Sequence, residues 1–370
     1  MQTTGERPLV VASSYGAAGA SMRVRVLDWL EALGLEAETL TYLGTANVRP
    51  RTLLAHPVGV ARAEARLRRE KRRPAPRRLL VSRSLGPFTG GRLEADLLGR
   101  AGWGVYDVDD ALWADDRGGI HRFFGEGAGW SASVRAADLV VAGNDYLAEA
   151  ASRLNPSVRI IPSCVDPTRY PSKRDYSIGA PPRLVWLGSP STERYLQAIA
   201  PALVHVHRLT GARLTLISAG RLPLGELEAM TDRVDWDGPR TDALLAEADC
   251  GIMPLPDTPF TRGKCAYKLL QYGAAGLPTV ASPVGVNARV LDELGGLAAP
   301  DAESWVPALV DLLRAGDADR RAAGEAARRA VEERYSFAAW RAAFLEALQL
   351  PDPALGPAPA AQSEVEPPPR

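Results

Sequence analysis

Consecutive apolar runs and stretches of helical period alternate along nearly the whole chain. "PLVVASS" (8–14) reads as a strand buried on both faces, because its apolar residues are consecutive rather than every second one. In "SMRVRVLDWLEALG" (21–34), Met22, Val26, Trp29, Leu30 and Leu33 recur at helical spacing, and Gly34 closes the helix. Further strands are expected at 37–43, 77–84, 103–110, 138–144 and 158–165, with helical segments between them. Strand–helix alternation of this kind predicts a parallel sheet covered by helices on both faces.

Residues 166–182, "DPTRYPSKRDYSIGAPP", break the pattern with four prolines and almost no aliphatic side chains, the composition of a linker. The alternation then restarts with strands expected at 183–189, 212–220, 234–238, 250–256 and 278–285. This divides the chain into a first domain over 1–165, a linker over 166–182 and a second domain over 183–336. Phe337, Trp340 and Phe344 recur at helical spacing, so a last helix over about 337–348 is expected to pack back on the first domain. The Pro/Ala-rich tail, residues 350–370, has too little apolar surface to fold and is expected to be disordered. The fold class is therefore α/β, with two doubly wound Rossmann-like domains whose parallel sheets face a central cleft. Such clefts, at the carboxyl ends of strands, are where open α/β folds bind ligands.

Length and composition agree with two soluble domains: 370 residues, 46% hydrophobic and 24% charged. The formal net charge is zero, which gives no whole-molecule field for nucleic acid. Cys164, Cys250 and Cys265 are scattered and form no C-x-x-C pair, as expected of reduced thiols in a cytoplasmic protein. The N-terminus does not read as a signal peptide, and no apolar run approaches the roughly 20 residues needed to cross a bilayer.

The segment "RGKCAYKLLQYGAAGLPTVASPVG" (262–285) concentrates candidate chemistry. A helix opening at Gly263 places Lys264, Lys268 and Gln271 on one face and Cys265, Leu269 and Tyr272 on another. Gly263 has no Cβ, so an anion can approach the first amides of the helix, with Arg262 beside them. Free amides, helix dipole and three cations converging on one point suit a phosphate group; a surface helix with solvated lysines is the plainer alternative. No G-x-G-x-x-G follows a strand and no Walker pattern is present, which argues against a dinucleotide dehydrogenase or a P-loop enzyme.

"KLLQYGAAGLPTVASPVG" resembles the donor-binding segment of glycosyltransferase family 4, the retaining enzymes of the GT-B fold. "VWLGSPSTERYL" (185–196), "VYDVDDALW" (105–113), "VVAGNDYLAE" (140–149) and "RIIPSCVD" (159–166) extend the resemblance, in the family's order, across about residues 8–346. The resemblance implies transfer of a sugar from a nucleotide diphospho-sugar with retention of configuration. No separate cofactor and no catalytic metal are implied. In the family a Glu late in the helix binds the ribose, and a Glu eight residues earlier meets the donor sugar. Here Gln271 and Gly263 stand at those places, so the first can only exchange neutral hydrogen bonds and the second can offer only its backbone amide. Ser189, Ser191 and Thr192 stand where the family's basic pair follows the first strand of the donor domain. The diphosphate load, and with it help to the leaving group, then falls on Arg262, Lys264 and Lys268. The base is expected against "WDGPR" (236–240), with Trp236 either stacking on it or filling the core. Arg83, at a strand end of the first domain, is expected to reach the donor.

"DVDD" (107–110), with Asp115 and Asp116 nearby, looks like a divalent-metal site, but cationic side chains do that work in the family. Acceptor binding by Asp109 and Asp110 is preferred, helix capping is the alternative, and His121 is a further candidate contact. Between Arg62 and Arg78 stand nine basic residues (Arg62, Arg66, Arg68, Arg69, Lys71, Arg72, Arg73, Arg77 and Arg78) against Glu64 and Glu70. They form either a solvated helix face or a weak contact with an anionic membrane surface or acceptor. The expected partners are a nucleotide-sugar donor and a small-molecule, glycan or lipid-linked acceptor, with no nucleic acid. The rival readings are an inverting GT-B transferase or nucleotide-sugar epimerase, and a catalytically weak nucleotide-sugar-binding partner protein.

Overall fold

The computed structural model describes residues 9–46, 48, 50–76, 78–114 and 127–355. Asp115, Asp116, His121, Arg77 and the tail from residue 356 lie outside the described residues.

The first sheet has six parallel strands: β1 (Leu9–Ser13), β2 (Ala37–Thr41), β3 (Arg78–Ser82), β4 (Gly104–Val108), β5 (Leu139–Ala142) and β6 (Val158–Ile160), in the order β2-β1-β3-β4-β5-β6. The second also has six: β7 (Arg183–Leu187), β8 (Arg213–Ile217), β9 (Thr231–Val234), β10 (Cys250–Met253), β11 (Thr279–Ala281) and β12 (Leu297–Ala298), ordered β12-β11-β10-β7-β8-β9. Continuous apolar strands are what a sheet covered on both faces requires. β4 and β5 are buried at every position, and each sheet carries one apolar cluster on each face.

Two strand expectations need correction. β9 ends at Val234, where the sequence suggested a strand beginning. A 3-10 turn over Gly225–Met230 delivers Thr231 to β8, and 235–238 becomes the loop that leaves the sheet. The short edge strand β12 was not expected; with two exposed residues it has no apolar signature.

The segment 166–182 packs on the second domain. Tyr170 belongs to that domain's apolar cluster, the Tyr176 hydroxyl donates to the Gly276 carbonyl at 2.9 Å, and the buried Lys173 ammonium donates to the Ala248 carbonyl at 2.8 Å. The last helix, Phe337–Ala347, crosses to the first domain. Its Phe344 stacks on Trp29 at 4.2 Å, Phe337 meets the same indole edge-on at 4.8 Å, and Trp103 donates to the Ala347 carbonyl at 2.8 Å.

The first helix runs through three consecutive pieces, Ala20–Met22, a π-helical turn over Arg23–Leu27, and Asp28–Leu33. The wider turn carries Arg25 into the interior. There its guanidinium grips Asp107 of β4, with Nη2–Oδ1 at 2.6 Å and Nε–Oδ1 at 3.1 Å, and donates to the Ile161 carbonyl at 2.9 Å.

Candidate active site

Both sheets change winding direction at one point, β1/β3 in the first and β7/β10 in the second. Crevices outside the carboxyl ends of such strands are the natural ligand sites of doubly wound folds. Arg83 follows β3 directly, and Gly188 and Ser189 follow β7.

Arg83 holds a left-handed backbone, φ 64°, which is costly for a residue with a side chain and persists where neighbours fix it. Its amide donates to the Asp107 carbonyl, and its own carbonyl accepts from the Tyr106 hydroxyl at 2.8 Å. The guanidinium is thereby aimed at Asp109 (3.0 Å) and Asp110 (2.7 Å).

The segment 258–275 corrects the expected continuous helix. A short helix, Pro259–Arg262, opens with Thr258 and Thr261 capping each other; a non-helical turn follows, and the second helix is Tyr267–Ala274. Ala266 opens that helix at φ 53°. Gly263 is therefore not the helix start, and its amide already donates to the Phe260 carbonyl at 3.2 Å. Its missing side chain has another cause: a Cβ there would lie 2.6 Å from the Ala111 amide nitrogen, across the domain boundary.

Asn144 holds this turn in place. Its amide donates to the carbonyls of Gly263 (3.1 Å) and Lys264 (3.0 Å), while its Oδ1 caps the following helix of the first domain. Cys265 Sγ sits 3.3 Å from the Asp109 carbonyl, packed so closely that a side chain at Gly143 would collide with it. The break before Tyr267 therefore follows from docking on the first domain.

Lys264 Nζ reaches Asp110 at 2.8 Å, so Asp110 bridges Lys264 of one domain and Arg83 of the other. Burial opposes its charge, but the two cations hold the Asp110 carboxyl down at about 2. Lys268 lies over the Trp186 ring at 5.5 Å, at the end of β7, where Gly188 leaves room for its stem. Burial first, then the neighbouring Lys264, lowers its ammonium to about 8. Arg262 stands apart: it is half exposed and forms a two-pronged pair with Asp257 (2.6 and 2.9 Å). Its assignment to the phosphate point is corrected accordingly.

Lys268 makes a pH effect measurable. Its ammonium is present below about pH 8 and lost above it, whereas a nucleoside diphosphate keeps its charge over that range. Affinity for the diphosphate is expected to be flat from about pH 6.5 to 7.5 and to fall by up to tenfold per unit above pH 8. Titration calorimetry across this range, with Lys268→Met losing the dependence, is the check. A parent affinity that stays flat to pH 9.5 rejects Lys268 as a phosphate contact.

On the other side of the helix, Gln271 is buried and donates from Nε2 to the Tyr170 hydroxyl at 3.2 Å. Together with Arg23, Asp28, Trp236, Gly238 and Asp242 these residues line a small cleft between the domains. Trp236 is no core residue; it is 47% exposed, and the Arg23 guanidinium lies 5.3 Å from its ring centre. Burial raises the carboxyls of Asp28 and Asp242, against the pull of Arg23 and Arg169. Ser189 is exposed, with Oγ 3.0 Å from Ser191. Asp107 is taken by Arg25, Asp109 by Arg83, and Asp110 by both Arg83 and Lys264. Among the described residues no three His, Cys, Asp or Glu gather as a metal site.

Arg23, Asn144, Tyr170 and Asp242 were not anticipated. Asn144 heads an Asn-Asp helix start, which announces a cap but not the second use of its amide. The other three meet only through tertiary packing.

Residues 181–315 match the family model described as glycosyl transferases group 1. No curated protein matches the chain. Among solved structures, Anabaena Alr3699/HepE in complex with UDP and glucose is similar at TM-score 0.65 and 13% identity, covering 93% of this chain and 100% of that one. WaaG, a glycosyltransferase involved in lipopolysaccharide biosynthesis, gives 0.61 and 16% over 91% and 98%. A UDP-forming α,α-trehalose-phosphate synthase from Burkholderia vietnamiensis gives 0.64 and 14% over 92% and 99%. The chain therefore has the GT-B fold, and its residues 181–315 are similar to the glycosyl transferases group 1 family.

Proposed function

We propose that the chain transfers a sugar from a nucleotide diphospho-sugar to an acceptor on the first domain, with retention of anomeric configuration. One observation carries this reading: Lys264 and Arg83 meet on Asp110 across the cleft, with Lys268 over Trp186 at the end of β7, beside the start of the helix Tyr267–Ala274. The nucleoside then belongs in the cleft of Trp236, Asp242 and Gln271, and the diphosphate at Lys268 and Lys264. The neighbours support the donor class, since the HepE structures hold UDP or UDP-glucose.

As the glycosidic bond breaks, charge grows on the departing diphosphate, and fixed cations at a desolvated site stabilise that growth. Lys264 has to be shared: a diphosphate reaching it competes with Asp110, which is released toward the acceptor side. Asp109 and Asp110 are then placed to orient an acceptor hydroxyl. Gln271 meets ribose hydroxyls through neutral hydrogen bonds.

One observation favours the second reading, a catalytically weak nucleotide-sugar-binding partner. Position 263, where the family's sugar contact falls, abuts Ala111 and has no room for a side chain.

Melting with UDP, GDP and ADP, followed by turnover of the corresponding diphospho-sugars with and without excess EDTA, separates the readings. The expected result is a raised Tm with one nucleoside diphosphate, turnover unchanged by EDTA, and a product of the donor's anomeric configuration. Binding without turnover of any diphospho-sugar supports the partner protein. Turnover lost to EDTA and restored by one divalent ion revives a metal role for Asp109 and Asp110, and an inverted product excludes retention.

A further inference from the structure

The helix Pro57–Glu70 packs on the first domain through Ala63 and Leu67, which are buried, and Val60, which is partly so. Val58, Arg62, Ala65 and Arg69 follow one another along the opposite, exposed face. Three of the basic residues in this region are used internally: Arg66 donates to the Tyr42 carbonyl, Arg73 is held by Glu38 and Glu70, and Arg78 donates to the Gln349 carbonyl. Arg62, Arg68, Arg69, Lys71 and Arg72 are exposed and have no acidic partner among the described residues. The charge asymmetry is thus presented to solvent rather than neutralised within the fold.

The sequence showed few apolar residues in this stretch, but the structure shows where the apolar ones project. Leu54 is 80% exposed and Val58 61%, the two most exposed large apolar side chains among the described residues. Both stand at the junction between the short helix Pro50–Ala55 and the basic helix. β2 and β3 both run parallel to β1, so the connecting helix must start at the carboxyl edge of the sheet and return to the amino edge. Leu54 and Val58 therefore lie on the cleft edge of the domain, and the basic side chains trail away from it.

We propose that this face docks on an anionic lipid bilayer, with Leu54 and Val58 entering the head-group boundary and Arg62, Arg68, Arg69, Lys71 and Arg72 lying against anionic head groups. A wholly polar polyanion such as RNA satisfies the cations but gives no reason for two exposed aliphatics at their leading end. A bilayer interface takes both, the cations by attraction to its surface potential and the aliphatics by shallow burial. The docked orientation turns the cleft edge toward the membrane. That this presents a lipid-borne acceptor rests on the proposed sugar transfer; the docking does not.

The test is flotation of the full chain with vesicles of phosphatidylcholine alone or with 30% phosphatidylglycerol, at low and high salt. The expected result is binding to the anionic vesicles only, weakened by salt. The fourfold variant Arg62→Glu/Arg68→Glu/Arg69→Glu/Arg72→Glu is expected to bind at least about 600-fold more weakly, at roughly fivefold per basic residue. Leu54→Ser/Val58→Ser is expected to bind about tenfold more weakly while keeping the salt dependence. Thermal shift with the nucleoside diphosphate that stabilises the parent, or the parent Tm itself if none does, shows that each variant is folded. No binding of the parent to anionic vesicles at low salt overturns the proposal. So does vesicle binding indifferent to Leu54 and Val58 and matched by binding to single-stranded RNA, which would mark a polyanion surface.

Discussion

Replacing Asp107 by alanine is expected to destabilise the first domain by about 3–5 kcal/mol, the usual cost of leaving one buried charge without its partner. Both side chains of the Arg25–Asp107 pair are almost fully enclosed, at 2% and 3% exposure, so water cannot take the place of the lost carboxylate. Arg25 would keep only the Ile161 carbonyl as an acceptor for its charge. The checks are the urea midpoint and the recovery of soluble protein, followed domain by domain because two domains need not unfold together. Asp107→Asn, which keeps the shape and loses the charge, should fall between parent and alanine. The double change Arg25→Met/Asp107→Leu should recover most of the loss, since a packed apolar pair avoids desolvating either ion. A loss below 1 kcal/mol for the alanine variant means that the pair is open to solvent.

The second large effect concerns Lys268. Lys268→Met retains most of the stem that lies against Trp186 and removes the charge. Charge-assisted hydrogen bonds contribute roughly 1.5–3 kcal/mol, so affinity for a nucleoside diphosphate should fall about 10- to 150-fold. Affinity for the bare nucleoside should barely change, because nothing in it reaches the ammonium. Turnover should drop as well if the charge on the leaving group grows in the transition state. Equal losses for nucleoside and diphosphate show damage to the fold instead, and no loss for either leaves Lys268 as a packing residue. The same substitution should relieve the burial cost of an ammonium held near pKa 8, so stability at neutral pH should not suffer.

Strands such as β1, β3, β4 and β5 were legible because each is a largely apolar run, a signal that depends on local sequence alone; β9 and β12 lack that signal. The helix start at Tyr267 was not, because nothing local announces it. Glycine beside cations is the usual pattern for an anion-binding helix, whereas alanine at positive φ is an unfavourable opening. The docking of Cys265 under Gly143 and Asp109 imposes the break, and those residues are more than 100 positions away. The roles of the DVDD residues were legible only in part for the same reason. Spacing shows three carboxylates at a strand end, but cannot show that Arg25 claims the first and Arg83 reaches the other two. Cations in the 262–271 stretch were readable, yet only packing separates Lys264 and Lys268, turned inward, from Arg262, turned out to Asp257.

The crossing of the last helix has a consequence for synthesis. Trp29 is made about 300 residues ahead of the two phenylalanines that cover it, at 337 and 344. A chain emerging from the ribosome can complete the second domain while this apolar face of the first remains bare. The first domain, though translated before the second, is sealed only after the second has been made. That interval exposes Trp29 and its neighbours to chaperones or to other nascent chains.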